Sequence, residues 1–197
     1  MKLDIPYHSQ FDEITVPEWK ERGCAIACLK MCFDFLEPNK TPSVTDLFAE
    51  GQIIIEDMIN KGLLKLENIN AHGWPHDVVT LIAHNHGITS YREEFRSIDV
   101  DIKNKTFSQN INEAGILKDK GIQKIRETLE NKKPVIVSVM RKNGPHQIVV
   151  VGFEDNLGTT TGFYINDPDN RTGEKQGIFM SLSEFSDSWK KFAIFVG

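Results

Sequence analysis

Apolar residues at positions 25, 26, 28, 29, 32, 33 and 36 recur at helical spacing and predict a helix from residue 23 to about 37, where Glu37-Pro38 stops it. Pro42-Ser43 introduces a second helical stretch to about residue 50. Residues 52–60 read as a third and 75–86 as a fourth, closed by Gly87 at the C-cap. Residues 88–91 and 98–102 are strand-length, and 123–131 form the last helical stretch before Lys132-Lys133-Pro134. The pattern then changes to the period and length of strands. Residues 135–140 are a nearly unbroken apolar run, Asn143-Gly144 is the strongest short hairpin signal, and 147–153 return. A turn at 156–159 leads to 162–166, so three consecutive strands form an antiparallel meander. Residues 177–180 add a strand, Ser183 caps a helix to about residue 190, and 192–196 form the final strand. The fold class is α+β in a single domain, helical over about residues 1–131 and sheet-forming over about 132–197.

Composition narrows the class of function. At 197 residues, with 40% hydrophobic, 9% aromatic and 26% charged positions, the chain can bury one sizeable core. Lysine and arginine number 23 against 28 acidic residues, and the net charge of -5 leaves no basic field to hold a nucleic acid. The lead-in MKLDIPYHSQ breaks any apolar stretch with Asp4 and Pro6, so no export signal is expected. The longest aliphatic runs, 53–55, 135–137 and 148–151, fall far short of the roughly 20 residues that span a bilayer. A cytoplasmic protein without a membrane partner follows, and its oligomeric state is open.

All three cysteines fall between positions 24 and 32, which is no disulfide framework. Cys24, Cys28 and Cys32 lie four apart on one helical face, spread along about 12 Å of axis at 1.5 Å per residue, so they do not converge on a metal. No metal or cofactor is implied. Cys28 and Cys32 sit among Ala27, Leu29, Met31 and Phe33 and read as small core residues. Cys24 follows Gly23 at the helix start, where unpaired N–H groups and the positive end of the macrodipole favour a thiolate. Position alone does not make it a nucleophile; an imidazole and an orienting acceptor are needed.

Six histidines are available. His8 lies in the lead-in, and His72, His76, His84 and His86 cluster around the fourth helix as exposed helix-end residues. His146, in Pro145-His146-Gln147, opens the most apolar strand and is either a solvated turn histidine or an imidazole facing a cleft at the sheet edge. Asp167, in Asn166-Asp167-Pro168, is either a turn initiator or a carboxylate one strand away from that imidazole. Gln10 precedes the cysteine helix, where its amide can join the Cys24 N–H as an oxyanion donor.

With these residues in place the chain resembles the bacteriocin-processing, double-glycine cysteine peptidases and their stand-alone relatives, which have a papain-like fold. Gln10-Phe11-Asp12 is similar to the family's Gln-x-Asp lead-in, and Cys24-Ala25-Ile26-Ala27-Cys28 to its cysteine helix. Gly73 to Gly87 resembles a Gly, short helix, Gly segment, Lys133-Pro134-Val135 a Pro-led strand, His146 to Gly152 the histidine strand, and Asp167-Pro168 the Asp-Pro. The resemblance implies Cys24 as nucleophile, His146 as base and acid, Asp167 as orienting group and Gln10 in the oxyanion hole. The implied activity is that of a cysteine peptidase or amidase working through a thioester on a peptide or a small acyl or amide substrate. An acyltransferase using the same acyl-enzyme, and an inactive module that only binds a peptide or partner, are the alternatives. Ala25 stands where the family usually has glycine, and the 14 residues from Gln10 to Cys24 require an insertion with Trp19 to loop out. Residues 93–120 have no clear family counterpart and are expected to form an insertion over the cleft.

Overall fold

The computed structural model describes residues 1–38, 41–65, 67, 74–101, 103–104, 106–109, 111–173 and 175–197. His72, Gly73 and Ile102 lie outside the described residues.

The apolar runs of the second half build the centre of the molecule. β4 (Val135–Arg141) and β5 (Gly144–Asn156) pair from Val135 with Val150 to Arg141 with Gly144, turning at Lys142-Asn143. β6 (Thr159–Asn166) and β7 (Ile178–Ser181) continue the antiparallel meander. β8 (Trp189–Val196) pairs with β4, and β1 (Ser90–Glu94) with β8, giving the order β1-β8-β4-β5-β6-β7. β2 (Ile98–Asp101) and β3 (Thr106–Gln109) form a separate hairpin.

Successive strand residues alternate between two cores. Ile136, Val149, Val151 and Ile194 join the core containing α3 (Cys24–Leu36), α4 (Val44–Asn60) and α5 (His76–Asn85). Val135, Val137, Ile148 and Val150 join the core of α6 (Ile111–Glu130) and α7 (Leu182–Ser188) on the other face. Helices on both faces therefore explain why these strands read as continuous apolar runs and not as alternating ones. From Ala25 to Phe33 every α3 residue is buried, so this helix lies between the sheet and α4 and α5.

Several expectations change. The second and third helical stretches are one helix, α4, N-capped by Ser43, whose hydroxyl accepts the Asp46 N–H. Gly51 is no break: a Cβ there would lie 2.0 Å from Cζ3 of Trp74, so the glycine admits the indole against the helix. Gly51→Ala should lower stability by about 1–2 kcal/mol, overpacking outweighing the better helix propensity of alanine. The check is a lower urea midpoint with unchanged m-value. α6 begins twelve residues before the expected 123: among its described side chains the buried apolar stripe is Ile122, Ile125 and Leu129, and the first half contributes a partly buried Leu117 beside an exposed Ile116, a weak periodic signal. The helix cap near residue 183 is Ser181, in a reciprocal capping box with Glu184. β8 starts three residues before the expected 192. β1 covers 90–94 and not 88–91; its polar sequence is held at the edge by pairing from Ser90–Val196 to Glu94–Phe192, and it adds a strand from the helical half to the sheet. Among the described residues no helix is long and apolar enough to cross a membrane.

Candidate active site

Cys24 is the first residue of α3, and its N-cap, Gly23, supplies no side-chain cap, so the first-turn N–H groups remain free to face the sulfur. The helix start is crowded: a Cβ on Gly23 would lie 2.1 Å from Cδ1 of Ile14 and 3.2 Å from Cβ of Gln10. Glycine is what lets the Gln10 segment press against the cysteine. Cys24 is partly exposed, whereas Cys28 and Cys32 are buried.

Across the cleft, His146 lies on β5 opposite Val139 of β4. Its Nε2 is 2.8 Å from Oδ1 of Asp167, and its ring shares one cavity wall with Cys24, close enough for each to shift the other's ionisation. Sequence-distant residues thus form one line: thiol, imidazole, carboxylate. Asp167 is 2% exposed and well satisfied: it also accepts the Asp169 N–H at 3.0 Å and pairs with the Arg141 guanidinium. Its backbone carbonyl accepts the Tyr7 hydroxyl at 2.7 Å.

The electrostatics favour a charged pair. Burial acts to raise the Cys24 pKa, but the hydrogen bond and charge of His146, with backbone N–H groups of Gln147 and Ala25, bring it below the ordinary thiol value. Burial acts to lower the pKa of His146, but hydrogen bonds to Asp167 and Cys24 raise it to about 9. Asp167 is held below the usual carboxylate range, against its own desolvation, by His146, the Asp169 N–H and Arg141. Cys28 goes the other way: burial and the neighbouring Cys24 and Cys32 push its thiol well up.

Gln10 is the first residue of α1 (Gln10–Glu13) and is 3% exposed. Its backbone N–H donates to the Pro168 carbonyl at 3.0 Å, which ties α1 to the Asp167 loop. Its Nε2 donates to the Lys20 carbonyl at 2.6 Å, while Oε1 is buried without a partner. Gln10 therefore stands beside Gly23 but is not part of the cleft lining. His8 fastens the same segment to α3: one ring nitrogen donates to Glu13 and the other to Asp34, each at 2.8 Å. The segment between Gln10 and Cys24 does not loop out. It forms α2 (Pro17–Lys20), and Trp19 stacks on Phe48 with ring centroids 4.7 Å apart.

Cys24 and His146 open into a cavity of about 610 Å³. His76, expected as an exposed helix-end histidine, is instead in its wall, with Nε2 2.8 Å from the Ser138 hydroxyl and its ring edge-on to Phe192. Burial, then the charges of Arg92 and Lys190, lower its pKa to about 4, so it is neutral near pH 7. The only sequence hint was Trp74-Pro75 just before it, an aromatic and an N-cap at a helix start; its partner Ser138 is 62 residues away. Arg96 and Lys190 also line the cavity, and Arg96 is the contribution of the 93–120 segment, whose Phe95 is buried in the second core. His84 bonds the Ser90 carbonyl and His86 pairs with Glu50, both away from the cleft. Among the described residues no group of three or more His, Cys, Asp or Glu is arranged to hold a metal ion.

The Peptidase_C39 like family matches residues 2–193 of the chain. No curated protein matches it. Similar solved structures include a double glycine motif protease from an AMS/PCAT transporter in complex with the leader peptide, at 15% identity over 99% of this chain and 92% of that one, with a TM-score of 0.45. The peptidase domain of Streptococcus mutans ComA is similar at 18% identity over 89% of this chain and 92% of that one, with a TM-score of 0.43.

Proposed function

The chain belongs to the Peptidase_C39 like family, and on that premise we propose that it is a cysteine peptidase acting through a thioester, with Cys24 as nucleophile, His146 as acid and base and Asp167 as orienting group. The observation that carries this reading is that Cys24 and His146 line one cavity and that His146 is hydrogen-bonded on its far side to the buried Asp167 at 2.8 Å. The thiolate attacks the peptide carbonyl carbon, and the carbonyl electrons move onto oxygen. As the tetrahedral intermediate collapses, His146 gives its proton to the leaving amine; it then takes one from the water that cleaves the thioester. Because Nε2 faces Asp167, Nδ1 is the nitrogen turned to sulfur.

The first-turn N–H groups of α3 are suited to the developing oxyanion, and Gln10 is proposed as their side-chain partner. The Lys20 carbonyl orients the Gln10 amide with nitrogen toward it, since the flipped amide would oppose two oxygens. The second Nε2 hydrogen is the one proposed to reach the oxyanion, from behind the cleft lining beside Gly23. The family is peptidase-like, and nothing lining the cleft selects an amine acceptor over water, so acyl transfer has no support.

Iodoacetamide at pH 6 followed by peptide mapping tests the nucleophile. Cys24 should be alkylated and Cys28 and Cys32 spared, because the imidazolium keeps the first as thiolate while burial keeps the others protonated. Equal labelling of all three, or none at Cys24, overturns the assignment.

A further inference from the structure

The cysteine chemistry leaves one wall of the cleft unexplained. In a chain of net charge -5, no aspartate or glutamate among the described residues lines the cavity, yet Arg96 and Lys190 do. Arg96 is committed: it pairs with Glu94, and its guanidinium lies over the Phe192 ring at 4.6 Å. Lys190 has no ion pair among the described residues. It is partly buried, and both that burial and the charge of Arg96 bring its pKa down. A cation held out of water beside a like charge is a standing cost that a bound anion removes.

The backbone is bent to put it there. Between the pairs Val137–Ala193 and Val139–Trp189, β8 advances four residues while β4 advances two. The surplus makes a bulge whose middle residue, Lys191, has φ 63°, a left-handed conformation unusual for a side-chain-bearing residue. Lys191 turns away and caps the end of α7, its Nζ donating to the Ser186 and Trp189 carbonyls at 2.7 and 2.8 Å. Its two neighbours, Lys190 and Phe192, both line the cavity. Bulges of this kind re-aim side chains next to binding sites, and backbone held in a sparsely populated region is found where function requires it.

We propose that this wall is a specificity subsite for an acidic side chain of the substrate peptide, with Lys190 as its counter-ion and with Phe192 and Trp74 flanking the peptide's apolar atoms. The subsite rests on the peptidase reading, because it is Cys24 that makes the same cavity the place of cleavage.

The test uses internally quenched decapeptides, N-acetylated and C-amidated, with Glu, Gln or Lys fixed at each position in turn and the rest randomised. At one position near the scissile bond, Glu should exceed Gln by about tenfold in kcat/KM. The ratio should fall to near unity in Lys190→Gln, and in Lys190→Met if the glutamine variant does not fold. It should invert toward Lys in Lys190→Glu and shrink in 0.5 M salt. An unchanged Glu preference in Lys190→Gln overturns the subsite. So does a wild type that cleaves all three series equally, which leaves the nucleophile standing. A Lys190-dependent gain seen only with free-acid peptides assigns the carboxylate to the peptide's C-terminus and overturns the side-chain assignment. The same peptides are also titrated calorimetrically into Cys24→Ala. Glu-selective binding lost on adding Lys190→Gln upholds the subsite even where no peptide is cleaved and the nucleophile reading fails.

Discussion

Cys24→Ala is expected to abolish peptide cleavage, by a factor on the order of 10⁶ in kcat, the scale on which losing a nucleophile acts in a serine peptidase. The size follows from the mechanism: without sulfur there is no thioester, and the remaining imidazole and oxyanion donors act only on a substrate that water must attack directly. The fold should survive. Cys24 is partly exposed at the cleft floor, so truncation opens no sealed cavity, and His146 keeps its bond to Asp167. The measurement is turnover of the quenched peptides alongside thermal unfolding. Full activity in Cys24→Ala with an unchanged melting curve refutes the nucleophile. A non-enzymatic peptide-binding module predicts instead no cleavage by either protein, with binding intact in both.

What the amino-acid pattern discloses about this site depends on how local each cause is. Cys24 is legible because a helical stripe, a glycine and a helix start are all within a few residues of it. His146 and Asp167 are legible because a two-residue hairpin and a short meander leave little choice about which strands are neighbours. Arg141 is different. It sits at the end of β4 where it reads as part of the hairpin turn, and its role beside Asp167 depends on a carboxylate 26 residues away. His76 and Lys190 are less legible still, since the first is defined by Ser138 and the second by a bulge that arises only from how β8 pairs with β4. The misplaced cap at Ser183 is another matter. The pattern Ser181-Leu182-Ser183-Glu184 contains a capping box in plain view, and Ser181 is the residue three before the glutamate. Gly51 misleads for the opposite reason: read locally it is a helix breaker, and only Trp74, 23 residues on, explains why it stands inside α4.

Removing the carboxylate should have the second-largest effect, and two substitutions separate its duties. Asp167→Ala deletes the acceptor of His146, the acceptor of the Asp169 N–H and the partner of Arg141 at once. Breaking a buried pair costs about 3–5 kcal/mol, and the low end applies because Arg141 is 35% exposed and can turn to water. Cleavage at pH 7 should fall by about 10²–10⁴, the contribution of a positioned acid–base, since the imidazole loses both its orientation and the charge that keeps it protonated. Asp167→Asn keeps an oxygen for the His146 N–H, removes the charge and turns an amide NH2 toward Arg141, which is 35% exposed and can swing to water, so it should fold and retain much of its activity at neutral pH. Its pH profile is the discriminating measurement. Hydrolysis needs thiolate and imidazolium together: it rises with pH as Cys24 ionises, below the ordinary thiol range, and falls as His146 loses its proton near pH 9. These limbs belong to the coupled pair. Loss of the Asp167 charge lowers the histidine limb and, through a less protonated imidazole, raises the cysteine limb, so the bell should narrow from both sides. Alkylation of Cys24 requires only thiolate, so it should follow the ascending limb alone and show no fall at high pH in either protein. A descending hydrolysis limb at the same pH in wild type and Asp167→Asn would mean that the carboxylate fixes the ring in place without supporting its charge.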